Sequence, residues 1–343
     1  MTLLLVLVLV TIALVGVVAV VVGPRLVVAR DRRRSEPGLD QELRRPLPDT
    51  RSHTVTTRDD ARVHVVERGR GRPIVFVHGL SLTHQIWKYQ YIDLADRFRV
   101  IAFDLRGHGA STEGADGYGP HLLGEDLATV LVALDLHDAI VVGHSLGGTA
   151  VGQLCADHPD VVADRVNGLV FVATYASALR GEGWWRETFG RPTATAMAAM
   201  QRRMKHRTEL PTGALAYAMA RSPFGPDPRP EHVRFCLELG SRTSPKVAAR
   251  STVANLDYDV RAGLDEIDTP ALVLAGSRDR LAPLRSARQL EQNLPNAELV
   301  VLEGAGHLLM LERRHELAEL LSRFATKTAD PAARESHPLD SSS

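Results

Sequence analysis

Gly143-His144-Ser145-Leu146-Gly147-Gly148 follows directly on the apolar run Ala139-Ile140-Val141-Val142. Glycines two places either side of a serine permit a sharp strand-to-helix turn that would crowd any side chain, and such a turn projects the hydroxyl outward. The preceding run has the length of a strand buried on both faces, and Leu146 to His158 holds no proline, so a helix can follow. Strand, elbow and helix in that order make Ser145 the candidate nucleophile.

A serine hydroxyl is a weak nucleophile at neutral pH, so it needs a base within hydrogen-bond reach and a third group that fixes the base in one tautomer. His307 is the candidate base: the strand-like stretch Ala297 to Leu302 ends in Glu303-Gly304-Ala305-Gly306-His307, and helical spacing runs from Leu308 to Phe324. Asp279 is the candidate acid, because Ala271-Leu272-Val273-Leu274-Ala275-Gly276 places it just past the carboxyl end of a buried strand. Asp257, Asp259, Asp265 and Asp268 precede that strand and belong to its other end. A tetrahedral oxyanion also needs preplaced donors. The amide of Leu146 follows the nucleophile, and Pro73-Ile74-Val75-Phe76-Val77-His78-Gly79-Leu80 ends a strand in a glycine turn that offers the amide of Leu80.

With these motifs in order, the chain resembles the serine-nucleophile branch of the α/β-hydrolase fold family, the esterase and lipase type. Four stretches carry the resemblance: His78-Gly79-Leu80, Asp104-Leu105-Arg106-Gly107-His108-Gly109-Ala110-Ser111, the elbow, and the pair Asp279 and His307. It spans about residues 52 to 325 and implies an α/β class, a mostly parallel sheet flanked by helices. It also implies that Asp104 to Ser111 braces the loops beneath the elbow. Relatives that make an alkyl ester on the enzyme carry aspartate at the elbow, so Ser145 excludes epoxide and haloalkane hydrolysis. Acyl-serine chemistry remains, with carboxylic ester cleavage, lipid esters included, as the favoured reaction. The same triad also suits a cofactor-free perhydrolase, haloperoxidase-like or lyase reaction. A non-catalytic, membrane-tethered binding protein is the reading from another class.

The elements that must hold these groups are legible as alternating apolar runs. His53 to Thr57 and Arg62 to Glu67 read as an antiparallel pair, and strands near 73–78, 99–103, 139–143, 167–173, 270–276 and 297–302 read as the parallel part. The core is thus expected at 51–174 and 264–325. Residues 175–263 break the alternation with helix-like spacing and a proline-rich stretch at 222–230, which predicts a helical cap inserted after the sixth strand. Trp184, Trp185 and Met200 in the cap are candidate pocket residues, together with Trp87 and His144 near the two loops.

Thr2 to Val22 carries no charge and is long enough to cross a bilayer as a helix, and Arg25, Arg30, Arg32, Arg33 and Arg34 follow it. Residues 1–24 are expected to form a single transmembrane anchor, with the catalytic domain on the cytoplasmic side by the positive-inside rule; secretion after signal cleavage is the alternative. Residues 25–50, rich in arginine, proline and acid, are expected as a juxtamembrane linker, and 326–343 as a disordered tail. The 41 lysines and arginines balance 41 acids, so nothing points to nucleic acid. The two cysteines, Cys155 and Cys236, suggest no disulfide. No metal motif or phosphate-binding Gly-Lys loop is present, and neither metal nor organic cofactor is expected. The expected partners are an ester substrate and the membrane; nothing in the residues sets the oligomeric state.

Overall fold

The computed structural model describes residues 22–177, 213–255 and 258–329. Two N-terminal helices, α1 (Gly23–Arg32) and α2 (Pro37–Arg44), precede β1 (Arg51–Thr56), β2 (Arg62–Arg68) and β3 (Pro73–Val77). Then come a 3-10 turn at His84–Trp87, α3 (Lys88–Leu94), β4 (Arg99–Phe103), α4 (Pro120–Ala133) and β5 (Ala139–His144). Helices α5 (Leu146–Asp157) and α6 (Pro159–Arg165) lead to β6 (Val166–Val172). The cap region holds α7 (Ala214–Arg221), α8 (Pro230–Gly240), α9 (Pro245–Ala254) and α10 (Arg261–Leu264). The chain closes with β7 (Ala271–Gly276), α11 (Leu284–Asn293), β8 (Ala297–Leu302), α12 (Leu309–Glu312) and α13 (Arg314–Ala329).

The eight strands form one sheet in the order β1-β2-β4-β3-β5-β6-β7-β8. β2 is antiparallel to both of its neighbours, and every pairing from β4 through β8 is parallel. Alternation of side chains divides the apolar residues between two cores. Ile74, Phe76, Ile140 and Val142 pack on one face, whereas Val75, Val77, Val141 and Phe171 pack on the other. Strands covered on both sides must be apolar at every position, and Pro73–Val77 and Ala139–His144 are buried throughout. The parallel arrangement brings the carboxyl ends of β3, β5, β7 and β8 to one edge, where a binding crevice in an open α/β sheet is formed.

Two expected segment boundaries change. Residues 25–50 are not an extended linker: α1 and α2 each begin on a proline in the first turn and pack on the cap. Their polar groups find protein partners instead of water. Arg34 Nη2 donates to Asp227 Oδ2 at 2.8 Å, Ser35 Oγ and Glu36 N donate to Glu231 Oε1 at 2.7 and 2.9 Å, and Tyr217 Oη donates to buried Asp31 at 2.9 Å. The expected tail at 326–343 likewise begins inside α13, where Thr328 is buried and its hydroxyl donates to Phe324 O at 3.1 Å. The proposed anchor falls almost wholly on residues 1–21, outside the described residues. Among the described residues, no helix is long and apolar enough to cross a membrane.

Candidate active site

Ser145 sits between the end of β5 and the start of α5 with φ 52° and ψ −114°, a conformation costly for a residue with a side chain. The turn is held by close packing on both sides. A Cβ on Gly143 would lie 2.5 Å from Gly147 O, and one on Gly147 would lie 2.2 Å from Val77 O. The backbone of the elbow is pinned as well: Ser145 N donates to Val172 O at 3.0 Å, and Thr174 Oγ1 donates to Ser145 O at 2.8 Å. The strain is therefore overdetermined by the neighbouring strands β3 and β6.

Asp279 and His307 meet across the loops after β7 and β8, with His307 Nδ1 donating to Asp279 Oδ2 at 2.8 Å. The other carboxylate oxygen accepts from Leu281 N at 2.8 Å and Ala282 N at 3.0 Å, so the acid is fixed in orientation and its charge is met by amide dipoles. The Asp279 side chain is fully covered, while that of His307 is 7% exposed. His307 is brought to the elbow by its own backbone. His144 Nε2 donates to His307 O at 3.0 Å, and the two imidazoles lie 4.8 Å apart, which sets the base beside the residue that precedes the serine.

Two further groups keep the His307 loop in place. Pro223 O in the cap accepts from His307 N at 2.8 Å. Glu312, on α12, accepts from Gly306 N at 3.1 Å, Leu308 N at 3.2 Å and Gly225 N at 2.8 Å. Sequence reasoning missed this clamp, whose one local trace is an acid four residues after Leu308 on a helical pattern. It also missed Thr174, which no motif marks.

Peptide planarity bears on the candidate oxyanion donors. His78 is wholly buried; its Nδ1 donates to Gly79 O at 2.7 Å while its Nε2 accepts from Leu105 N at 2.9 Å. Leu82 N also donates to Gly79 O, at 3.2 Å. In a trans peptide the carbonyl and the following N–H point in opposite directions, so anchoring Gly79 O turns Leu80 N–H away from His78. Leu146 is the first residue of α5, whose leading amides have no intrahelical acceptor. Burial pushes the His78 imidazole down to about 3, which keeps it neutral, as its paired donor and acceptor roles require.

Asp104 ties the loop after Leu80 to β4. Its Oδ1 accepts from His84 N at 2.7 Å and His84 Nδ1 at 2.9 Å, and its Oδ2 accepts from Ala110 N at 2.9 Å. Arg106, also buried, grips Asp126 through two donors at 2.7 and 2.6 Å and reaches Asp59 at 3.0 Å. Among the described residues, His64, His84 and Asp104 have donor atoms within 4.8 Å of one another. With both Asp104 oxygens engaged by N–H donors, this group reads as a brace for the loops.

Two candidate pocket residues have other places. Trp87 is fully buried against Phe76, with ring centroids 4.7 Å apart, because a large ring directly before α3 turns into the core beneath β3. His144 is covered as well, and its ring supports His307. Trp184, Trp185 and Met200 lie outside the described residues. Leu80 is half-buried, and both Cys155 and Cys236 are free thiols.

The sheet order, the strained elbow and the acid–base pair define the α/β-hydrolase class, and residues 72–314 match the family model for the alpha/beta hydrolase fold. The chain belongs to that family. The AB hydrolase superfamily protein YisY of Bacillus subtilis is 28% identical over 80% of this chain and 98% of its own length. A non-heme chloroperoxidase of Kitasatospora aureofaciens is 30% identical over 74% of this chain and 90% of its own. Among solved structures, an esterase from Exiguobacterium antarcticum superposes with a TM-score of 0.70 at 23% identity, covering 80% of this chain and all of that one.

Proposed function

We propose that the protein hydrolyses carboxylic esters through an acyl-serine intermediate. The observation that supports this reading is the His307–Asp279 pair at 2.8 Å, whose histidine is tied through its carbonyl to His144, the residue before a serine held at φ 52°. His307 takes the proton of Ser145 as its oxygen attacks the ester carbonyl, and Asp279 keeps Nδ1 protonated and steadies the imidazolium. The amides of Leu80 and Leu146 receive the oxyanion, each worth roughly 3 kcal/mol of barrier. The alcohol leaves with the proton from His307; the same imidazole then activates water, which releases the carboxylic acid and restores the serine.

The chloroperoxidase likeness favours a second use of the same intermediate. Hydrogen peroxide in place of water would attack the acyl-serine and give a peracid and free serine. The uncharged stretch Thr2 to Val22 supports a further extension, in which the enzyme is tethered to a membrane and meets lipid esters there.

The test is Ser145→Ala against wild type, scored by fluorophosphonate labelling and by turnover of a p-nitrophenyl ester with water or peroxide as acceptor. Labelling is expected to vanish and turnover to fall by several orders of magnitude. Undiminished turnover would move the nucleophile elsewhere, and peracid formed in preference to acid would make perhydrolysis the main reaction.

A further inference from the structure

A cavity of about 430 Å³ lies where α2, the edge of β2, the 3-10 turn, α3 and the end of α8 converge, and neither Ser145, Asp279 nor His307 lines it. Its wall carries five cationic side chains, Arg44, Arg45, Arg51, Lys88 and Arg242, against one carboxylate, Glu238. That carboxylate is already shared: it pairs with Arg44 and accepts from Arg242 Nη2 at 3.2 Å. Arg51 is likewise engaged by Glu67 at 3.1 Å.

These pairings leave out Arg45, which is exposed, and Lys88. Lys88 is the buried one of the two. It is only 7% exposed, its ammonium donates to the carbonyl of Arg45, and among the described residues it has no ion pair. The neighbouring guanidinium groups of Arg45 and Arg68 add to burial in holding the ammonium below its ordinary range, and the opposing Glu42 is itself bound to Arg314 at 2.8 Å. A buried cation among like charges is costly unless an anion completes the site. Leu43, Leu47, Val66 and Phe235 face the same space, alongside the polar Thr50, Ser52, His64, His84, Gln85 and Tyr91.

We propose that this cavity binds a small amphiphilic carboxylate, with its head group on Lys88 and Arg45 and its hydrocarbon part against Leu43, Leu47, Val66 and Phe235. The volume lies in the range of small-molecule sites. This assignment does not rest on the hydrolase reading, because binding at Lys88 requires no turnover.

The experiment is calorimetric titration of the full chain carrying Ser145→Ala, with sodium octanoate, octanol and inorganic phosphate as separate probes. Octanoate is expected to bind at least tenfold more tightly than either octanol or phosphate, and adding Lys88→Met is expected to weaken it at least tenfold. Arg45→Gln, at an exposed side chain, provides the same comparison should Lys88→Met fail to fold. Octanoate binding unchanged by either substitution would overturn the assignment, as would phosphate binding as tight as that of octanoate. Loss of labelling or of esterase activity at Ser145 would leave these outcomes untouched, so the two readings fail separately.

Discussion

Mild acid is expected to destabilise this protein through its buried imidazoles. His78 and His108 are fully covered and His232 is 5% exposed, and burial lowers them to about 3, about 4 and about 4. In the unfolded chain each regains an ordinary histidine pKa near ~6.5, so between that value and the folded ones the unfolded state binds more protons. Stability is then fully present above about pH 6.5, is lost as pH falls below it, and keeps falling until the folded values are reached. Lowering pH from 7 to 5 costs about 2 kcal/mol per histidine, or about 5 to 6 kcal/mol for the three. That is comparable with the whole stability of an ordinary domain. His144 acts in the same direction, since burial and the nearby His307 hold it well below its usual range. Asp59 and Glu67, lowered by Arg106 and Arg99 among other donors, lose their contribution only below the carboxylate range and leave this window unaffected.

The assay is urea unfolding followed by circular dichroism at pH 7, 6 and 5, with His232→Gln as the comparison. The variant removes one proton from the difference and should reduce the loss between pH 7 and 5 by about 2 kcal/mol. A midpoint that stays flat from pH 7 to 5, or a variant with the same slope as wild type, would refute burial as the source of these shifts. The result bears directly on catalysis, because His78 orients the Leu80 peptide and His144 holds His307. An acid limb in an activity profile will contain unfolding, and rates below pH 6 must be divided by the folded fraction.

Asp279→Asn should lower kcat by roughly 10⁴. Leu281 N and Ala282 N both require an acceptor at Oδ1, so the Asn oxygen is retained there and its amide nitrogen faces His307 Nδ1. That geometry selects the tautomer with Nε2 protonated, which cannot accept the serine proton; near wild-type turnover would show that another acid serves the base. Glu312→Gln should lower kcat about tenfold at unchanged KM and cost about 2 kcal/mol of stability, since a charged acceptor of three amides is lost. Steady-state kinetics with thermal melts checks this, and a loss of stability without a change in kcat would make the clamp merely structural.

The sheet was readable because its strands are short, β-branched and bounded by turns, and because the glycines at 143 and 147 leave a local trace of a backbone contact. The helices and long-range pairings within 25–50 are not legible in sequence for a reason of range. Arginine, proline and acid without apolar periodicity describe a linker within any short window, yet Arg34, Ser35 and Arg44 also reach Asp227, Glu231 and Glu238, more than 190 residues away. Trp87 and His144 were placed at a pocket because they lie beside the two active loops in sequence. Burial decides their position, and burial depends on which face of β3 and β5 each loop returns to.

Motifs name the atoms that react, whereas the groups that hold His307 carry no motif. Its ring is tied to the β7 loop, its carbonyl to the elbow, its amide to Pro223 and its flanking amides to Glu312, which also takes Gly225 N. Three of these anchors belong to the hydrolase core, and the fourth belongs to the cap. A cap motion that carried Pro223 and Gly225 away would release the amide of the base and one of the three donors on Glu312. Substrate entry that preserves the geometry of the base must therefore leave 223–225 seated on the His307 loop. Residues 223–225 are thus tied to the His307 loop, and an opening that keeps the candidate base in place has to hinge outside them.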